Sequence, residues 1–465
     1  MKFPITLLSL LIITGTNAQR PGTLTPEVSP SLKYQLCETH GCNQDWTGRV
    51  VLDANWRWYH TANGTTNCYS GNQWDSTICP DPATCNSNCV LEGANYSSTY
   101  GITTSGQTLT LKWKQGQNVG SRVHLLRYET KYEIFKLLGQ EIAFDVDVSK
   151  LPCGIAASAQ LTEMAADGGM STQPGNTAGA KYGVGYCDSR CPKDLKWIGG
   201  EVNNLDWTPT SSTSGVGKYG SCCNEIDLFQ GNSISSAFTA HSCSSATVTG
   251  QYRCTGTECG TTANPTGGVC DPVGCDYNSY RNGQPNFYGP SKTIDTTKKF
   301  TVVTQFITDT GTSTGTLTEI RRLWIQNGVI IQNTSVNVSG IPTGNSISAG
   351  YCTAKESAFG DPTSFEDHGG LGSVSAALNR GMVLTFSIWD DPAAHLLWLD
   401  SNYPAGTSPT QAGVARGTCP TTSGDPAVVE ANTDAEVTFS LIRHGLIGST
   451  YQIQQWSQCG GFGYM

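Results

Sequence analysis

Charge is scarce in this chain and positive charge scarcer: 14% of its 465 residues are charged, and 28 Lys and Arg face 37 Asp and Glu for a net −9. With no basic excess, nucleic acid and anionic membrane surfaces are excluded as partners. Apart from residues 3–13, no run approaches the ~20 apolar residues that a membrane span needs, so none is expected. Long helical periodicity is lacking, as are short internal repeats and any composition break within residues 19–449. One domain with few helices follows for that stretch.

Turn residues and cysteine are what the chain has in quantity. Its 53 Gly and 21 Pro are the make-up of a large all-β domain. Period-2 alternation in Thr108 to Trp113, Ile142 to Val148, Val302 to Ile307 and Met382 to Trp389 predicts strands with one face buried. Leu323 to Ile331 predicts a hairpin about a type I′ turn at Asn327-Gly328. Lys2, the apolar run Phe3 to Ile13 and the small residues of Thr16-Asn17-Ala18 form the pattern of a secretory signal, residues 1–18, cleaved before Gln19. A secreted, extracellular protein is therefore expected, and its 19 cysteines read as a disulfide framework with one left over, not as metal ligands. No metal or cofactor is expected. Sequons at Asn63, Asn95, Asn333 and Asn337 fit a secreted surface.

The chemistry sits in Cys222 to Gln230, CCNEIDLFQ. On a regular strand Glu225 and Asp227 point the same way, while Gln230 points the other way, about 16 Å along from Glu225. For the three to share a face, a bulge must lie between 227 and 230. A retaining glycosidase needs a carboxylate nucleophile and a proton donor about 5 to 5.5 Å apart. Here the donor's position holds an amide.

Residues 19–449 resemble the fungal-type cellobiohydrolases of glycoside hydrolase family 7. The resemblance rests on collinear segments: VVLDANWRWYH (50–60), STYGITTSGQTL (98–109), FDVDVSKLPCG (144–154), NTAGAKYGVGYCDSRCP (176–192), GSCCNEIDLFQGNSIS (220–235), FYGPSKTIDTTKKFTVVTQF (287–306) and SIWDDPAAHLLWLDSNYP (387–404). It implies a jelly-roll β-sandwich of two curved antiparallel sheets, concanavalin-like, with disulfide-tied loops over a glucan-binding cleft or tunnel. It also implies nine bridges, 37–42, 68–89, 79–85, 153–419, 187–223, 191–222, 243–270, 254–259 and 275–352, leaving Cys459 unpaired. Gln455 to Tyr464 resembles the opening of a small fungal cellulose-binding module that then stops, so residues 450–465 are expected to be an incomplete fragment.

By the same resemblance Glu225 is the nucleophile, Asp227 its partner through a short carboxyl–carboxylate contact, and Gln230 stands at the acid/base position, with His241 close by. Trp56, Trp58, Trp389 and Trp398 fall on sugar-platform positions, Trp56 and Trp58 on one face of a strand. Arg122, Tyr186, Asp188 and Lys196 fall on substrate-side clamps, and Arg281 and Arg416 on product-side clamps. Cellulose or cello-oligosaccharide chains are the implied partners, bound by a monomer.

The departures gather at the chemistry. Where the family segment reads D-x-W-E-A-N, this chain departs at Phe229, Gln230 and Gly231; Ala156 and Gln160 replace a usual amide and aromatic. Roofing loops 199–219 and 243–270 have cellobiohydrolase length, although Pro265 and Pro392-Ala393-Ala394 replace bulkier tips and suggest a more open tunnel. Three readings follow: a retaining cellobiohydrolase whose catalysis Gln230 puts in doubt, a glucan-binding protein that does not cut, and an open-cleft endoglucanase, which the loop lengths disfavour.

Overall fold

The computed structural model describes residues 19–38, 41–261 and 264–451. The expected signal peptide and the module-like segment with Cys459 lie outside the described residues. The strands that carry the architecture are, in chain order, β1 (Ser31–Glu38), β2 (Gly41–Leu52), β3 (Ser121–Tyr128), β4 (Gln140–Asp147), β5 (Ala156–Thr162), β6 (Glu225–Gly231), β7 (Ser236–His241), β8 (Cys275–Asn278), β9 (Phe300–Thr308), β10 (Leu317–Gln326), β11 (Met382–Trp389) and β12 (Glu436–Leu446).

Antiparallel pairing builds one curved layer in the order β1, β2, β3, β11, β5, β6, β7, β8. A second layer runs β12, β4, β9, β10. The two are continuous along one edge, because β1 also pairs with β12, and that pairing is parallel. So the sandwich is a single hydrogen-bonded sheet folded on itself, with one exception to the expected antiparallel order. Leu32, Val50, Phe144, Leu161, Phe229, Phe300, Leu384, Phe386 and Phe439 fill the space between the layers. Burial of such side chains, at roughly 25 cal/mol per Å² of apolar surface, drives the layers together.

The four expected strands appear, as Thr108–Lys112, β4, β9 and β11, but only the first keeps one buried face. The others are covered twice. Val383 of β11 packs under Tyr186, Cys187 and Leu195 of a loop, while Ala143 of β4 and Val303 of β9 pack with Tyr451 near the chain's end. Glu141 is buried for the same reason, accepting from the backbone N–H of Thr450 at 2.8 Å. Alternation in the sequence marked the strands and could not show what lies over their second face. The hairpin at Asn327-Gly328 is formed, with φ of 53° and 75° as a type I′ turn requires.

All nine expected bridges are present. Two of them, Cys187–Cys223 and Cys191–Cys222, fasten the loop carrying Asp188 and Ser189 directly ahead of β6. The sequons divide. Asn63, Asn95 and Asn337 are exposed, but Asn333 is buried, donating to the Asn345 carbonyl at 2.9 Å and accepting from Trp324 Nε1 at 3.3 Å, which closes it to a glycan in the folded protein. No described helix is long and apolar enough to cross a membrane.

Candidate active site

The bulge expected between 227 and 230 is there. Across β5 and β6, Gln160 opposes Asp227, Ala159 opposes Phe229 and Ser158 opposes Gln230, so Leu228 is the extra residue. The β6–β7 register shifts at the same place. Leu228 and Phe229 both turn into the core, which resets the alternation and leaves Glu225, Asp227 and Gln230 together on the concave face. The Leu228 carbonyl accepts from the buried Arg322 guanidinium, which also reaches Thr304 Oγ1 at 3.2 Å. Burial depresses Arg322 to about 9.

Two of the departures from the family pattern belong to the core side. The Phe229 ring packs 6.1 Å from Phe300. A Cβ on residue 231 would come within 2.9 Å of the Phe229 ring, so Gly231 leaves room for it. Neither touches the cleft.

On the concave face, Glu225 is held from three sides. Ser189 donates to its Oε2 through the backbone N–H at 3.2 Å and the hydroxyl at 2.8 Å. Gln160 Nε2 donates to Oε1 at 3.1 Å and to the Tyr186 hydroxyl at 2.8 Å, and that hydroxyl donates to Asp188 Oδ2 at 2.8 Å. Gln160 thus ties the carboxylate to a tyrosine and an acid. Burial, and then the charge of Asp227, raise Glu225 above the usual carboxylate range. Burial and the Glu225 charge likewise push Asp188 up to about 7.

Asp227 Oδ2 lies 3.2 Å from His241 Nε2, and among the described residues its buried Oδ1 has no hydrogen-bond donor. His241 Nδ1 lies 3.0 Å from the Asp271 carbonyl and so must donate there, which leaves Nε2 a donor only in the imidazolium. Burial pushes His241 down, but the Asp227 hydrogen bond and the Glu225 and Asp227 charges outweigh it and raise it to about 9. The charge of Asp227, paired with His241, acts on Glu225 through space.

A cavity of about 610 Å³ opens over these residues, lined by Trp56, Arg122, Gln160, Tyr186, Asp188, Arg190, Lys196, Glu225, Gln230 and Trp389 among others. Gln230 differs from Glu225 in one respect: among the described residues its side chain has no hydrogen-bond partner, although the residue is buried. The platforms are placed unevenly. Trp56 ends a 3-10 turn (Ala54–Trp56), and Trp58 precedes the short strand Tyr59–Thr61, so the two are not on one strand face as expected. Trp56 and Trp389 line the cavity, Trp398 stacks on Trp389 with centroids 6.1 Å apart, and Trp58 sits apart against His60 with its indole donating to Asn67 at 2.7 Å.

The clamps divide in the same way. Arg122 donates to Asp53 Oδ2 at 2.8 Å with its guanidinium 3.3 Å over the Tyr186 ring. Lys196 Nζ donates to the Asn55 carbonyl at 2.6 Å, and burial lowers it to about 8. Arg281 lies outside the cavity lining, its donors taken by the Gly413 carbonyl, Asp276 and Asp361. Arg416 donates to the Trp398 carbonyl at 3.3 Å, and burial with the Arg281 charge lowers it to about 10. The loop 199–219 reaches the cavity through Ser211 to Ser214, whereas no described residue of 243–270 lines it.

Residues 21–451 match Glycosyl hydrolase family 7. The chain belongs to glycosyl hydrolase family 7. A GH7 cellobiohydrolase from Daphnia pulex is 45% identical, with a TM-score of 0.90 over 93% of this chain and 100% of that one. A cellobiohydrolase from Melanocarpus albomyces complexed with cellotetraose is also 45% identical, TM-score 0.87, over 94% and 100%. The Humicola insolens endocellulase EGI is 35% identical, TM-score 0.78, over 93% and 100%. The family fold, a jelly-roll sandwich, and cellulase activity at family level come with that membership.

Sequence reasoning passed over Ser189, Arg190, Asp390 and the role of Gln160. Ser189 and Arg190 stand inside the quoted CDSRCP segment beside Asp188, so the signal was adjacent. Gln160 was read as a loss, yet it holds Glu225. Asp390 lines the cavity beside Trp389, and burial pushes it up to about 6.

Proposed function

We propose that the protein is a secreted cellobiohydrolase-type member of its family that grips β-1,4-glucan chains as a monomer, with Glu225 as nucleophile and with cellulose hydrolysis impaired at Gln230. One observation carries the reading: a carboxylate held by Ser189 and Gln160 shares a tryptophan-lined cavity with the amide of Gln230, which the resemblance puts at the proton donor's position. An amide has no proton to give a departing glucose hydroxyl and cannot take one from water. Sugar rings stack their apolar faces on indole, which Trp56 and Trp389 offer. The cellobiohydrolase relatives, at 45% identity against 35% for the Humicola endocellulase, support the chain-gripping form over the open-cleft one.

Turnover of cellulose by the purified protein and by Gln230→Glu tests it. The restored acid should raise turnover at least about 10²-fold, while cellohexaose affinity by calorimetry stays within a few fold. If the unmodified protein already turns over as fast as Gln230→Glu, another acid serves the reaction and the reading of Gln230 fails.

A further inference from the structure

A retaining site that keeps its nucleophile and loses its proton donor still has chemistry open to it, provided that neither step moves a proton. The cavity holds a second feature suited to that chemistry. Among its cations, Arg122 is engaged by Asp53 and Lys196 by the Asn55 carbonyl. Arg190 is exposed and lines the same cavity, and among the described residues its guanidinium has no ion pair or hydrogen bond. Its backbone N–H donates to Asp188 Oδ1 at 2.8 Å, and its guanidinium lies 5.0 Å over the Trp398 ring.

That ring fixes which end of the cavity Arg190 serves. Trp398 stacks on Trp389, whose indole donates to Ser158 Oγ at 2.7 Å. Ser158 is the cross-strand partner of Gln230. The Arg190 guanidinium, whose charge also acts on Asp188, the paired indoles and the unpartnered amide therefore belong to one end, with Gln230 supplying N–H donors and Arg190 a positive charge. Both stabilise an anion there; neither protonates an alkoxide.

We propose that this site transfers a glucosyl or cellobiosyl group from β-glycosides whose leaving group departs as a stable anion, such as a dinitrophenolate, to a small anionic acceptor drawn in by Arg190. The inference rests on Glu225 being the nucleophile. In the first step a Glu225 oxygen bonds to the anomeric carbon while the glycosidic C–O bond breaks, and the electron pair leaves on the dinitrophenolate. In the second, the acceptor, azide for instance, bonds to the anomeric carbon through nitrogen while the ester bond to Glu225 breaks and returns the carboxylate. No proton moves, and two inversions give the β-glycosyl azide.

The full protein is tested with 2,4-dinitrophenyl and phenyl β-cellobioside, with and without sodium azide. A burst of one dinitrophenolate per site should precede a slow phase that azide accelerates at least about tenfold, yielding β-cellobiosyl azide, while phenyl cellobioside stays uncut. In Arg190→Ala the azide concentration for half of that acceleration should rise at least about fivefold, and Arg190→Lys should fall between. Mass spectrometry after a 2-deoxy-2-fluoro dinitrophenyl cellobioside separates the two claims. No adduct on Glu225 overturns the nucleophile assignment itself. An adduct on Glu225 with a slow phase indifferent to azide, or an azide response unchanged in Arg190→Ala, overturns the transfer proposal alone.

Discussion

At the Glu225 end of β6 both carboxylate oxygens have donors, from Ser189 and Gln160, and a buried ion pair stands alongside; at the Gln230 end the amide faces the cavity with no hydrogen-bond partner among the described residues. The same strand, the same bulge and the same sheet position both residues, so the difference does not come from the fold. It comes from what each residue is asked to do. A nucleophile gains from being fixed and kept ionised in a tuned field. An acid/base residue works only if its own proton is exchangeable, and an amide in the right place does not replace it.

The most severe way to break the comparison is to remove the ordered end. Glu225→Gln should abolish the glycosyl-enzyme adduct formed from an activated cellobioside, a loss of at least about 10⁴-fold in phenolate release. Gln230→Ala should leave that adduct intact. If the two variants lose adduct equally, the two ends of β6 are not functionally distinct, and the separation drawn from their partners is wrong.

How far the sequence carried this picture depends on what each feature rests on. The bulge was legible from side-chain parity alone: Glu225, Asp227 and Gln230 share a face only if one residue is extra, and Leu228 is that residue. The disulfides followed from the resemblance, pair by pair. Partners in space were not legible. Gln160 looked like a lost aromatic, and only the folded chain brings it within reach of both Glu225 and Tyr186. Nor was it legible that Asp227 Oδ2 pairs with His241 Nε2. Phe229 and Gly231 looked like damage at the site and proved to be mutual packing on the opposite face. Burial was not legible at Asn333, whose sequon reads as surface and whose side chain is inside, bonded to Trp324 and the Asn345 carbonyl.

A smaller effect sharpens the leaving-group end. Trp389 both lines the cavity and is pinned to Ser158, so its ring is held ready for a sugar, while Trp58 lies outside that cavity. Trp389→Ala should weaken cellohexaose binding by about 1 kcal/mol, roughly fivefold, as read by calorimetry. Trp58→Ala should change it less. Equal losses would mean that the bound chain extends past Trp58 and that both ends of the groove contribute alike.

The subtlest difference between the two ends is in protons, and it sets how stability follows pH. His241 rises from its ordinary 6.5 to about 9 in the folded protein, so its contribution is fully present below pH 6.5 and is lost as the pH rises through about 9. Asp188, raised to about 7, acts with the same sign over a lower window, from the usual carboxylate range up through neutrality. Glu225, also raised, adds to that limb. All three groups gather at the nucleophile end, and Gln230 adds nothing because it does not titrate. The His241 contribution should therefore lower the melting temperature by a few degrees over its window, opposed above pH 8 by Lys196, which burial lowers to about 8. In His241→Asn the decline between pH 7 and 9 should flatten, while the decline below pH 7 persists. Calorimetric scans across that range check it, and an undiminished decline above pH 7 in the variant would mean that some group other than the Asp227–His241 pair carries the alkaline sensitivity.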